Sequence, residues 1–448
     1  MMRIATIIIT AGIIVAIVAA IFFSLPANHF SFDQTPVATT TPVVILVATS
    51  TPVPMMTHIV VPSSVKGIYF TNWAAGTPSF QKSLFNLFDG TILNAVVIDV
   101  KDYSGRIGFE VSDPDLVKIG SSQKRISDIK GLIDSLHKKG VYVIGRIAVF
   151  QDPFIVKVRP EWAVHDSRTG ALWKDSGGAY WADPTNKDFG KYIVSIAKES
   201  YADGFDEINF DYMRFPSDGS VSSAIYSALP KTAVIYKPIV NAKLATSTIH
   251  VATSMAHIAT STARVATSTK IYVTGKTQVI SDFFKYLHDE LASSTASSTP
   301  IPISVDLFGQ TTSDTGDMGI GQVIENAMPY FDYIDPMVYP SHYINGFLGY
   351  ANPADHPYEI VKYEMATAVS RSKVASSSPL LMRPWLQAFD LGATYTPDMI
   401  RTQISATYDI GLKSWILWNA GSVYNKSALL TDPKLTKVAS STPLTSNR

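Results

Sequence analysis

The segment Asp206-Glu207-Ile208-Asn209-Phe210-Asp211-Tyr212-Met213-Arg214-Phe215-Pro216 sets ionisable and amide side chains into a β-branched and aromatic run. Side chains of an extended chain alternate between faces, so Glu207, Asn209 and Asp211 share one. Such a row is costly to bury unless it is paired or used. A second acid, Asp306, holds the equivalent place in the next extended run, Val305-Asp306-Leu307-Phe308-Gly309. Neighbouring strands lie about 4.8 Å apart. Carboxyls at the ends of two neighbours therefore reach the roughly 5–10 Å separations used in glycoside hydrolysis. In that chemistry one carboxylate acts as nucleophile or base, and the other, of raised pKa, protonates the leaving oxygen.

Other side chains could complete a pocket. Asp99 and Lys101 close the run Val97-Ile98-Asp99-Val100-Lys101-Asp102, and Arg146 lies in Gly145-Arg146-Ile147-Ala148-Val149-Phe150. With Arg214 they are candidates to position the carboxylates or a substrate. Tyr212, Tyr339, Trp385, Trp415 and Trp418 fall near strand ends, where aromatic faces suit the C–H faces of sugar rings. Each residue also has a purely structural reading. Asp211 could pair with Arg146 or Arg214, Asp306 could cap a helix, Asp99 and Lys101 could form a buried ion pair, and the aromatics could pack the core. Glu207, deeper in its strand, reads as structural. Asp335, before Pro336, shapes a strand end or is the alternative acid.

These residues need elements to hold them. Eight β-branched or aromatic runs, at 65–73, 95–102, 141–150, 207–215, 303–309, 333–339, 381–389 and 412–418, alternate with amphipathic stretches at 126–139, 187–201, 279–291, 321–328, 358–370 and 397–408. Repeated β-then-α units imply right-handed crossovers and a parallel sheet. Eight of them predict an α/β protein with a closed (β/α)8 TIM barrel, whose chemistry sits at the C-terminal strand ends; an open doubly wound sheet is the alternative. Residues 219–275 interrupt the pattern with a low-complexity insertion after the fourth strand, in which Leu244, Val251, Ile258 and Val265 each begin a seven-residue Ala-Thr-Ser repeat. Thr, Ser and Val are poor helix formers, so the insertion reads as irregular, rising from the C-terminal face.

Residues 4–23 are 20 consecutive uncharged residues, at about 1.5 Å each one bilayer core. Arg3 precedes them, so residues 1–23 read as a single-pass membrane anchor, or a secretory signal if cleaved, with the body extracytoplasmic. Residues 24–64 read as a Thr/Pro-rich linker, 65–430 as the barrel domain and 431–448 as a flexible tail. The 448 residues carry 37 basic and 37 acidic side chains, which gives no electrostatic case for nucleic acid. The absence of cysteine excludes disulfides and thiolate chemistry. The nine histidines form no His-x-His or His-Glu-x-x-His pattern, so neither a metal nor a cofactor is expected. No Gly-x-Ser-x-Gly elbow or phosphate-binding glycine loop occurs.

The stretch 204–216, with Lys66-Gly67-Ile68-Tyr69, 97–102, 145–153, Trp181-Ala182-Asp183-Pro184, 305–309 and 336–343, resembles the glycoside hydrolase domain family catalogued as domain of unknown function 4015, over roughly residues 65–425. The resemblance implies a glycosidase barrel of the α-amylase-like superfamily. Its strand-four aspartate would be the nucleophile, which is Asp211 here. The superfamily's acid after strand five is a glutamate, whereas this chain offers Asp306. The expected activity is hydrolysis of an extracellular or cell-envelope polysaccharide. The competing reading is a non-catalytic carbohydrate-binding or cell-wall module on the same scaffold.

Overall fold

The computed structural model describes residues 56–231, 233–238, 268–292 and 300–430. The expected span at 4–23, most of the linker, the tail at 431–448 and most of the Ala-Thr-Ser repeat lie outside them. Among the described residues no helix is long and apolar enough to cross a membrane.

Eight parallel strands close into a barrel in sequence order. They are β1 (Lys66–Phe70), β2 (Ala95–Lys101), β3 (Tyr142–Ala148), β4 (Glu207–Asp211), β5 (Ile303–Phe308), β6 (Tyr333–Val338), β7 (Trp385–Gln387) and β8 (Trp415–Trp418). Helices α1 (Pro78–Phe88), α2 (Ile129–His137), α3 (Lys187–Ala202), α4 (Gly275–Ala292), α5 (Ile324–Ala327), α6 (Pro357–Val374) and α7 (Pro397–Asp409) follow the first seven strands. All eight predicted strands occur, so the (β/α)8 reading holds and the open sheet does not.

Period-two alternation builds two cores. The outward positions of β2, Val96, Ile98 and Val100, join the large cluster under the helices. The inward positions Ala95 and Val97 meet Tyr69, Tyr142, Ile144, Trp385 and Ile416 inside the barrel. Above and below that apolar layer the interior is polar, with Glu207, Asn209, Asp306, Asp335 and Arg383 all buried.

Several local expectations are corrected. The first strand stops at Phe70, because Thr71 caps the short helix Asn72–Gly76. The fourth stops at Asp211, where Tyr212 turns to φ 54°, a left-handed backbone that a strand cannot continue through. Helix α1, begun by Pro78 with Leu84 and Leu87 buried, had no predicted counterpart. Part of the insertion is regular: Ala233–Pro238 and Ser268–Val273 pair as an antiparallel ladder. The tract 56–64, read as the end of the linker, lies against the barrel. His58 stacks on Tyr201 at 3.9 Å, and the Ile59 amide donates to Asp206 at 2.7 Å.

Candidate active site

Pairing between β4 and β5 sets Phe210 opposite Val305, so Asp211 and Asp306 stand level at the C-terminal rim. They open onto a hollow of about 360 Å³, which also takes in Arg146, Tyr212, Arg214, Tyr339, Trp385 and Trp418. Eight of the ten expected site residues are thus brought together. Asp99 lies beneath them, and Lys101 is elsewhere.

Arg146, from β3, organises the acids. Its Nη1 donates to Asp99 Oδ1 at 2.7 Å, its Nη2 donates to Asp211 Oδ2, and its Nε lies 3.7 Å from Asp306 Oδ2. Two carboxyls flanking one guanidinium are no more than roughly 9 Å apart, the upper end of the paired-carboxylate range. The guanidinium is also held over Trp418, 5.0 Å from the ring centroid. Trp418 in turn stacks on Tyr69 at 3.9 Å, and the Tyr69 hydroxyl donates to Asp99 Oδ2 at 2.6 Å. Burial pushes the Asp99 carboxyl up to about 6, against the opposing pull of Arg146.

The two rim acids differ in surroundings. Asp211 Oδ1 accepts the Tyr212 amide and Oδ2 accepts Arg146. Asp306 takes both its close donors on Oδ1, Trp385 Nε1 at 2.7 Å and Asn209 Nδ2 at 2.9 Å. A proton on Asp306 therefore sits on Oδ2. Burial, then the charges of Asp211 and Asp335, hold the Asp306 carboxyl well above the usual range. Two buried polar atoms of residues lining the hollow, Arg146 Nε and Tyr343 OH, have no hydrogen-bond partner among the described residues.

Other expectations resolve differently. Lys101 is fully buried and pairs with Asp152 at 2.8 Å, outside the hollow. The β2–β3 register slips between Asp99 and Lys101, setting Lys101 level with outward-facing Ile147 instead of continuing the inward face. The proposed Asp99–Lys101 pair therefore does not form. Among the described residues Arg214 pairs with no carboxylate; its guanidinium lies 4.6 Å from the Phe308 ring centroid and 5.0 Å from that of Trp181. Asp335 and Glu207 are both gripped by Arg383, at 2.7 Å and 2.6 Å, and Tyr142 adds a bond to Glu207 at 3.1 Å. This is a buried network below the hollow and contributes no group to its lining. Tyr69, Gln310, His342 and Tyr343 complete the site. Tyr69 and the His342-Tyr343 pair stood in recognisable motifs, but nothing in their spacing showed what they would touch.

The family model described as a putative glycosyl hydrolase domain, domain of unknown function 4015, matches residues 67–424. Among solved structures, the PgaB (BpsB) glycoside hydrolase domain of Bordetella bronchiseptica aligns over 86% of this chain and 100% of that chain, at 14% identity and TM-score 0.52. A hypothetical protein of Ruminiclostridium thermocellum aligns over 53% of this chain and 96% of its own, at 27% identity and TM-score 0.39. The PelA glycoside hydrolase domain of Pseudomonas aeruginosa aligns over 81% and 97%, at 9% identity and TM-score 0.40. The first of these likenesses shows a shared fold. The comparison with curated proteins finds no match.

Proposed function

The chain belongs to this family of glycosyl hydrolase domains, and from that premise we propose that it cleaves O-glycosidic bonds of an extracellular or cell-envelope polysaccharide, with Asp306 as general acid and Asp211 as nucleophile or base. The observation that carries this reading is the pair of unlike carboxyls around Arg146. Asp306 is buried and proton-retaining, whereas Asp211 is wrapped in N–H donors. A glycosidic oxygen placed at Asp306 Oδ2 takes its proton as the C–O bond breaks. The positive charge then developing at the anomeric carbon faces Asp211, which either attacks it or directs a water to it. Arg146 is the positioning residue, with Tyr69 and Asp99 fixing it from below. Tyr212, Arg214, Tyr339, Trp385 and Trp418 wall the sugar, offering stacking faces and polar edges.

The test is a glycan screen of the purified chain, followed by Asp211→Asn and Asp306→Asn on any substrate found. The expected result is loss of turnover by at least about 10²-fold for each, with glycan binding retained. Turnover unchanged in Asp211→Asn would defeat the assignment. Glycan binding that never leads to cleavage would instead favour a carbohydrate-binding module. NMR of the first-formed anomer then separates attack by Asp211 from attack by water.

The uncharged residues 4–23 support placing this activity outside the cytoplasmic membrane on a single-pass anchor. Fractionation and protease accessibility in intact cells test it: a soluble, protected protein would refute it.

A further inference from the structure

The loops after β2, β3 and β4 carry a second depression on the same face of the barrel. It is a groove of about 670 Å³ whose lining includes Tyr103, Ser104, Arg106, Lys157, Asp175 and Asp218. The groove and the hollow share a wall. Arg214 lines the hollow, its guanidinium lies over Trp181, and the Trp181 indole donates to Asp175 of the groove at 2.9 Å. Two large aromatics stand in the open: Tyr103, which lines the groove, is 68% exposed, and Trp73, outside its lining but joined to it through Arg125, is 56% exposed. Trp73 is held rather than loose. The half-buried Arg125 lies against its ring at 4.6 Å and reaches across to Ser104 of the groove at 2.9 Å. A tryptophan pinned on one face and bare on the other costs apolar exposure without a folding return. It does supply a rigid platform for a flat, amphipathic ring. The groove balances two cations, Arg106 and Lys157, against two acids, Asp175 and Asp218, so it gives no preference to a polyanion.

We propose that this groove, with Trp73 and Tyr103, is an extended glycan-binding stretch continuous with the hollow, so that the protein takes a long uncharged polysaccharide across the barrel mouth and cuts within the chain. The proposal rests on the glycosidase reading for the cutting, but not for the binding. Affinity electrophoresis of the full chain as Asp211→Asn, through gels holding mixed-linkage β-glucan, arabinoxylan, galactomannan, alginate or polygalacturonate, tests binding. Retardation is expected in at least one neutral gel, weakened about tenfold by Trp73→Ala or Tyr103→Ala and kept by Trp73→Phe or Tyr103→Phe, with unfolding temperatures unchanged. Active enzyme on the retarding polymer is expected to release intermediate lengths first. Trp73→Ala is expected to slow that release about tenfold while sparing an aryl monoglycoside of the same sugar. Retardation by the two polyanions alone, by no gel, or equally with and without Trp73 and Tyr103 overturns the proposal. Release of single terminal sugars from the start overturns cutting within the chain. Retardation that needs Trp73 in a protein that cuts nothing leaves the binding stretch standing and removes the glycosidase reading.

Discussion

Two aspartates in one hollow acquire opposite tasks from their neighbours. Asp306 keeps its proton because burial removes water from the charged form and Asp211 adds negative charge nearby, with Arg146 too far for a full hydrogen bond. A general acid works only while protonated. Turnover therefore falls as pH rises through the raised pKa of Asp306, and Asp306→Asn removes that alkaline limb. Protonation matters least when the leaving group departs unaided. The Asn variant is expected to lose about 10²–10⁴-fold on alkyl glycosides and much less on dinitrophenyl glycosides; equal losses on both would assign the acid elsewhere. Asp99, also raised by burial, makes a prediction about stability. Its carboxyl titrates at about 6 in the fold against an ordinary 3.8. Between those values the folded state holds the proton more tightly than the unfolded state. Asp99 thus contributes most stability below the ordinary value, and the contribution is lost as pH rises to about 6, then stays level. At about 1.4 kcal/mol per unit this is up to about 3 kcal/mol. Chemical denaturation at pH 4 and pH 7 is expected to show a smaller decline in Asp99→Asn than in the parent.

At the scale of the strand, the site depends on close approach between neighbours. Gly309 follows β5, and a methyl group there would sit 2.5 Å from the Met337 carbonyl of β6 and 2.7 Å from the Tyr343 hydroxyl. Gly309→Ala therefore pushes β6 and Tyr343 away from the rim that holds Asp306. The expected cost is about 1–3 kcal/mol in thermal unfolding, with turnover falling further than stability alone explains. Alternation made much of this rim legible in sequence: Glu207, Asn209 and Asp211 face inward as expected, and the apolar runs gave all eight strands. The same rule misplaced Lys101, because one bulge after Asp99 moves every later residue of β2 to the other face and no local signal marks it. The end of β4 was misread for a similar reason: Tyr212 takes a conformation that its residue type disfavours. The Tyr69–Asp99–Arg146 chain joins three strands through contacts 30 and 47 residues apart, a juxtaposition that barrel closure creates and spacing along the chain does not encode.

At the scale of the whole molecule, the barrel tolerates an interruption where most such folds have a short connection. The rungs of the ladder run from Ala233 opposite Val273 to Pro238 opposite Ser268, so the segment between leaves and returns at adjacent points. Loop-closure entropy grows slowly, about 0.6 kcal/mol for each doubling of length. Replacing residues 239–267 by Asn-Gly, which favours the tight turn of a hairpin, thus relieves about 2 kcal/mol of closure cost at most. The shortened protein is expected to unfold at the same temperature as the parent or a few degrees higher, and to cleave small aryl glycosides at the parental rate. Calorimetry and a rate on one such substrate decide it. A fall of more than about 5 °C, which for a chain this size is more than 1 kcal/mol, would mean that the repeat packs on the barrel and belongs to its core.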